Sequence, residues 1–300
     1  LASEEGSSNV SKVGFSGVQF LKIDVGARGF SMGSAVGPII DDASAVFWNP
    51  AGLTFNDKKS LFTSKTSWLT GIDHMAASYS MPFKSFISGY LAISYVGLST
   101  DKMAVTTIEY QDGVPGESFR VSVFSVGVAY AMKLTDKFRF GVHTKLISEN
   151  LVQGLSSVED GYGSGTTWAV DVGTLFLTGY KTLTIGTSIR NFGPDMQLGG
   201  SYVDYDKGEE ILDSDTGVPE TYPFRPYGLP LIFRFGLSAN PYKTETGNLL
   251  VSVIGEHPPD NIERLNLGAE YTLMKFFVGR AGYVFNHDTR STSFGIGLRD

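Results

Sequence analysis

The chain has 300 residues and a net charge of −7, with an isoelectric point near 5.2 and a mean hydropathy close to zero. An acidic chain lacks the basic face that nucleic-acid phosphates demand, and no apolar run approaches the ~18–20 residues of a spanning helix. Cysteine is absent, which excludes disulfides, thiolate metal sites and a lipidated N-terminal Cys.

In chain order, residues 1–17 are polar and Ser-rich and read as a flexible arm. The opening Leu1-Ala2-Ser3-Glu4-Glu5-Gly6 has the character of an end left by cleavage of an export signal. Residues 18–57 differ from everything after them. They are rich in Gly and Ala, carry the acid pair Asp41-Asp42 and end in Asn49-Pro50-Ala51-Gly52-Leu53. Asp42 is placed to cap a short helix over 43–48, which Pro50 and Gly52 stop. We read this segment as a plug packed inside a barrel formed by residues 58–300.

From Ser60 onward the period is two. Over 264–273, Leu265, Leu267, Ala269, Tyr271 and Leu273 alternate with Asn266, Gly268, Glu270 and Thr272. The same pattern recurs over 231–239, 138–146, 183–189 and 294–298. Less regular strands near 60–68, 72–83, 87–97, 118–133, 166–178, 248–257 and 276–285 bring the reading to about twelve.

A soluble sandwich shows the same alternation with its apolar face inward. Two features favour a membrane barrel instead. The connections alternate between short and long, with tight links near 82–86, 135–137, 179–181, 241–248 and 274–275. Aromatics also gather beside those tight links: Phe83, Phe86, Tyr130, Phe138, Phe176, Tyr180, Tyr242, Tyr271 and Phe276. The expected fold class is all-β, an antiparallel transmembrane barrel of 12–14 strands with an N-terminal plug. An Arg at the lipid midplane costs about 2–4 kcal/mol. Arg139, Lys145, Asp171, Arg190, Arg234, Glu270, Arg280 and Arg299 are therefore expected to face the lumen, with Asp171, Glu256 and Glu270 as partners for the arginines.

The elements Phe20-Leu21-Lys22-Ile23, Gly26-Ala27-Arg28, Met32-Gly33, Asp41-Asp42-Ala43 and Asn49-Pro50-Ala51-Gly52-Leu53, in this order, resemble the N-terminal signature of the PorV/PorQ family. That family is similar to the long-chain fatty acid transporters of the outer membrane. The resemblance covers about thirty-five residues, and Asp24 and Phe30 depart from it, standing where smaller or apolar residues are expected. It implies a plugged barrel of fourteen strands in the outer membrane of a Gram-negative bacterium. It further implies a non-enzymatic role, docking a protein partner in secretion or surface attachment. The transporter relatives imply the alternative, a plugged channel for hydrophobic small molecules such as fatty acids. Fourteen strands against the twelve read here lead to the expectation that a final hairpin is missing; a twelve-stranded barrel is the rival account.

Other motifs read more plainly. Gly29-Phe30-Ser31-Met32-Gly33 matches a nucleophile elbow in letters only, since no βα alternation follows it. Gly161-Tyr162-Gly163-Ser164-Gly165 precedes a strand, not a helix, and reads as an outer loop. His74, His143, His257 and His287 lack metal-ligand spacing, and no cofactor is expected. The acidic stretch from Asp204 to Glu220 reads as a solvated loop, with calcium at Asp213 and Asp215 as the alternative. Its aromatic tail, with Tyr222, Phe224, Tyr227 and Leu229, is either a cover over the barrel mouth or a docking edge.

Overall fold

The computed structural model describes residues 16–69, 71–84, 88–107, 109–203, 205–206, 209–210, 219–287 and 290–299. Twelve long strands form the wall: β1 (Ser60–Leu69), β2 (Ile72–Phe83), β3 (Gly89–Thr100), β4 (Ser118–Lys133), β5 (Phe138–Gln153) and β6 (Ser164–Leu177), then β7 (Thr184–Phe192), β8 (Ile232–Lys243), β9 (Gly247–His257), β10 (Arg264–Leu273), β11 (Phe277–Phe285) and β12 (Thr292–Leu298). Each pairs antiparallel with its neighbours in sequence, and β1 and β12 are the two ends of that order. The protein is a transmembrane β-barrel with a plug.

Which face looks outward decides between membrane and soluble protein. On β10, Leu265 and Tyr271 are exposed, while Asn266, Gly268, Glu270 and Thr272 are buried. Phe233, Phe235 and Leu237 of β8 and Phe294, Ile296 and Leu298 of β12 are likewise exposed, whereas Arg234 and Ser238 are buried. A water-soluble sandwich would reverse this, because greasy side chains leave water for the core. Here the polar face is the inner one, so the outer face needs a hydrocarbon solvent.

The connections sort onto two ends. Links 84–88, 134–137, 178–183, 244–246 and 274–276 form a turn end. Links 101–117, 154–163, 193–231, 258–263 and 286–291 form a loop end, together with the tight link at 70–71 that the length alternation did not foresee. Phe83, Phe176, Tyr180, Tyr242, Tyr271 and Phe276 are exposed on the turn-end half, while Tyr130 and Phe138 are half-buried. Phe86 and residues 211–218, which include Asp213 and Asp215, lie outside the described residues.

The hydrophobic core sits in the lumen, where plug side chains pack against wall residues such as Ala92, Val96, Ala129 and Ile147. Short 3-10 turns at Gln19–Lys22, Ala43–Phe47 and Pro50–Phe55 and one helix, α1 (Ala27–Ser31), bury Phe20, Leu21, Ile40, Val46, Phe47, Trp48 and Leu53. The segment over 43–48 is a 3-10 turn; the Asp42 carboxylate caps it by accepting from Ser44 N at 2.8 Å. Each fully buried large apolar side chain contributes roughly 2 kcal/mol. The wall meets the plug through glycines. Gly141 stands directly opposite Gly173, Gly186 opposite Gly236, and Gly268 opposite Gly282. A Cβ at Gly282 would lie 2.1 Å from Gly33 N, and one at Gly141 2.5 Å from Ala51 N. These positions let plug backbone rest directly on wall backbone, an approach any side chain would block.

Candidate functional site: two chambers divided by the plug

The Asn49-Pro50-Ala51-Gly52 element is fixed at the turn-end half. Asn49 Oδ1 caps the following 3-10 turn by accepting from Ala51 N at 3.1 Å, and Asn49 Nδ2 donates to Thr174 O at 3.1 Å and Thr187 O at 3.2 Å. One amide thus ends a turn and ties the plug to β6 and β7. Pro50 takes the first helical position, where no N–H is needed. Ala51 and Gly52 must be small, since a Cβ on Gly52 would stand 2.8 Å from Ile40 O.

Charge holds the rest. The Arg28 guanidinium donates from Nη1 to Asp41 at 2.6 Å and from Nε to Glu270 at 2.9 Å, and Arg280 reaches the same Glu270 at 2.7 Å. Arg234 pairs with Glu256 at 2.6 Å, and Arg264 approaches Glu256 at 3.6 Å. Arg290 donates to Asp24 at 2.8 Å and to Ser34 at 3.0 Å, while stacking over Phe30 at 4.3 Å. Arg190 donates to Leu21 O, and Arg139 to Thr54 O. Arg299 lies past β12 at the turn-end mouth, half exposed, 3.1 Å from Asp41. Lys22 and the Ser16 hydroxyl both donate to Asp260 of link 258–263. Burial alone would push the Asp260 carboxyl up; the hydrogen bonds and charge of Lys22, with Ser16, outweigh it and hold it below the usual carboxylate range.

Asp171 accepts from Lys145 at 2.8 Å and from His143 at 3.0 Å, rather than from an arginine, and His143 Nε2 lies 2.8 Å from Ser94 Oγ. Ser94, His143 and Asp171 therefore line up as nucleophile, base and orienting acid would. The cavity beside them is about 20 Å³, room for about one water and for no substrate. Asp171 is also engaged by Asn191 N at 2.7 Å. The cluster neutralises a buried lysine and braces β3, β5, β6 and β7. Sequence reasoning missed His143 in this role; the signal was its position opposite Asp171 on the next strand. Ser31 of the elbow-like stretch donates its hydroxyl to Ala27 O at 2.6 Å.

Among the described residues the plug leaves a chamber on either side of it. The loop-end chamber holds about 550 Å³, with Phe30, Trp68 and Val284 as its apolar wall and Lys22, Arg234, Arg264 and Arg290 facing Asp24 and Glu256. The turn-end chamber holds about 310 Å³ and is lined by Arg28, Asp41, Lys243, Glu270 and Arg299 among others. The small-residue stretch 32–38 lies between them, seated on Gly236, Gly268 and Gly282. Asp24 and Phe30, the two departures from the family signature, both line the larger chamber.

Of the outer tail, Leu229 is buried and Tyr227 packs inward, donating its hydroxyl to Glu149, with Gly17 against its ring. Tyr222 stays exposed. Its ring and those of Tyr202, Phe224 and Tyr162 form a chain with centroids 5.6–6.1 Å apart.

Solved structures share the fold of this plugged barrel. The toluene transporter TodX of Pseudomonas putida superposes with a TM-score of 0.53 at 14% identity, over 88% of this chain and 84% of that one. The toluene transporter TbuX of Ralstonia pickettii gives 0.52 at 13%, over 91% and 88%. The monoaromatic hydrocarbon channel CymD gives 0.50 at 13%, over 91% and 87%. No protein-family model and no curated protein matches the chain. At these identities the likeness is one of fold. It agrees with the resemblance to fatty-acid-transporter-type barrels; the narrower PorV/PorQ assignment rests on residues 20–53 alone.

Proposed function

We propose that the protein is a non-enzymatic channel of a Gram-negative outer membrane that takes hydrophobic small molecules into the loop-end chamber. The observation that carries this reading is the chamber itself, about 550 Å³ and walled by Phe30, Trp68 and Val284 above the plug. The fold shared with toluene and monoaromatic hydrocarbon channels supports it. Four cations on the chamber wall suit a ligand with an apolar body and a polar end, such as a fatty acid, better than a bare hydrocarbon. This reading places the alternative drawn from the transporter relatives ahead of partner docking. Calorimetric titration of the detergent-solubilised chain with a medium-chain fatty acid and with toluene tests it. Saturable binding is expected, weakened at least about tenfold by Ser34→Trp, which fills the chamber. No saturable binding of either compound would overturn it.

A second reading, docking of a protein partner in secretion or surface attachment, rests on the exposed rings of Tyr202 and Tyr222 at the loop end, which stack beside the half-buried Phe224. A stoichiometric protein recovered from native membranes with the wild type, and lost with Tyr202→Ser/Tyr222→Ser, would bring it forward.

A further inference from the structure

The two ends of the barrel carry opposite charge. Among the described residues exposed in the loop-end links, Asp101, Glu109, Asp112, Glu159, Asp160, Asp195 and Glu263 outnumber Lys102 and Arg225. In the turn-end hairpins the balance reverses: Lys84, Lys137, Lys181, Lys243 and Lys275 are all exposed, against Asp136 and Glu245, and a further lysine, Lys133, is paired with Asp57. None of these five lysines is in an ion pair among the described residues. They sit at five different hairpins, so together they ring the mouth of the barrel rather than form one flat patch, with Lys243 at the rim of the turn-end chamber.

Each lysine is also a chain neighbour of an aromatic residue on the wall. Lys84 follows Phe83, Lys181 follows Tyr180, Lys243 follows Tyr242, Lys137 precedes Phe138 and Lys275 precedes Phe276. The Tyr180 ring is 67% exposed, and the Lys181 ammonium stands 5.6 Å from its centroid. Rings on the outer wall near a strand end settle at the depth of lipid headgroups. An ammonium one residue further on then reaches the phosphates while its methylenes stay against the apolar layer.

We propose that the turn end is a collar for the phosphates of anionic phospholipids in the leaflet that surrounds it. The collar draws on Lys84, Lys137, Lys181, Lys243 and Lys275, each set beside a headgroup-depth ring. An acidic soluble protein would need a contiguous basic patch. The lysines instead encircle the mouth, and what they share as a neighbour is the lipid headgroup layer. The collar also fixes the barrel's orientation, because the acidic loop end would be repelled from the same leaflet. It rests on the barrel fold and not on the channel reading, so the two fail separately.

The test is lipid retention by native mass spectrometry. The full chain in neutral detergent is offered vesicles of equimolar phosphatidylglycerol and phosphatidylcholine. The wild type is expected to retain phosphatidylglycerol preferentially, by about tenfold at low salt and less as salt rises. Replacing all five lysines by Gln should bring the ratio near one, replacing them by Arg should keep it, and Lys102→Gln/Arg225→Gln at the loop end should leave it unchanged. Single variants Lys181→Gln and Lys275→Gln should give graded losses, a readout that holds if the fivefold variant folds poorly. No preference in the wild type, a preference that survives the Gln series, or tight binding of an acidic protein with phosphatidylglycerol ignored would overturn the collar.

Discussion

Residues 49–53 and residues 16–34 fill the same lumen, yet the wall holds them by different physics. The first group is held by shape, with the two Asn49 amide bonds to Thr174 O and Thr187 O set into the close-packed contact. Asn49, Pro50 and Ala51 lie against Gly141 and Gly173, so close that a Cβ on Gly173 would come 2.0 Å from Asn49 Oδ1. The second group rests on wall glycines at Ser31, Met32 and Gly33 and is otherwise held by polar contacts to separate strands and links: Lys22 and Ser16 to Asp260, Asp24 and Ser34 to Arg290, and Leu21 O to Arg190. Shape leaves no volume, whereas polar contacts leave the gaps between them, and the larger chamber lies in the second region. The difference separates an anchor from a lining. A close-packed contact has one arrangement, while an ion pair beside a cavity can exchange its partner for a ligand or a water.

Breaking the anchor should have the largest effect. Gly173→Val places a branched side chain where Asn49 and Pro50 now lie, and should cost on the order of 4 kcal/mol or leave the barrel unable to refold. Urea titration in micelles, followed by heat-modifiable mobility, reads this directly. Stability close to wild type would show that the turn-end half is looser than its contacts indicate.

Loosening the lining should cost less. Arg290→Gln removes the charge shared by Asp24 and Ser34 and the stack on Phe30. Both members of the Arg290–Asp24 pair are mostly buried, so a loss of about 1–3 kcal/mol is expected. The Asn49 contacts should remain, and hydrogen exchange near 49–53 should be unaltered. Equal loosening of both groups would merge the two regions into one cooperative unit.

The smallest effect is one of pH. Asp260 is held below its unfolded value of about 3.9. Its contribution is therefore complete above that pH and disappears as pH falls through the lower, folded value. Amides 16–22 should lose protection on acidification below about pH 4, after correction for intrinsic exchange, while those of 49–53 keep theirs. Protection at 16–22 that is constant down to pH 2 would count against the Lys22–Asp260 tether.

The alternation of single strands was enough to read the two faces of the wall, while the link lengths and the aromatics beside the tight links favoured a membrane barrel over a sandwich. Leu265 and Phe235 could be set apart from Glu270 and Arg234 because a strand gives each face every second residue. Partners were legible only where pairing puts them directly opposite. Arg234 faces Glu256 and Glu270 faces Arg280 in register, and both form ion pairs. Arg28 reaching Glu270 across 242 positions of chain could not be read, since no periodicity links a plug residue to one strand. The chamber was equally hidden: Asp24 and Phe30 stood out in the sequence only as departures from a pattern.

What the sequence determined by itself is therefore local and periodic: twelve alternating strands, two classes of link, and a glycine-rich opening segment ending in Asn49-Pro50-Ala51-Gly52 that could not be a strand. The tertiary structure decided where that segment lies, which glycines it rests on and where it leaves space. Those outcomes depend on how the wall's twelve strands stagger and curve around the plug. A cavity is the volume that packing fails to fill, so no single stretch of chain encodes it.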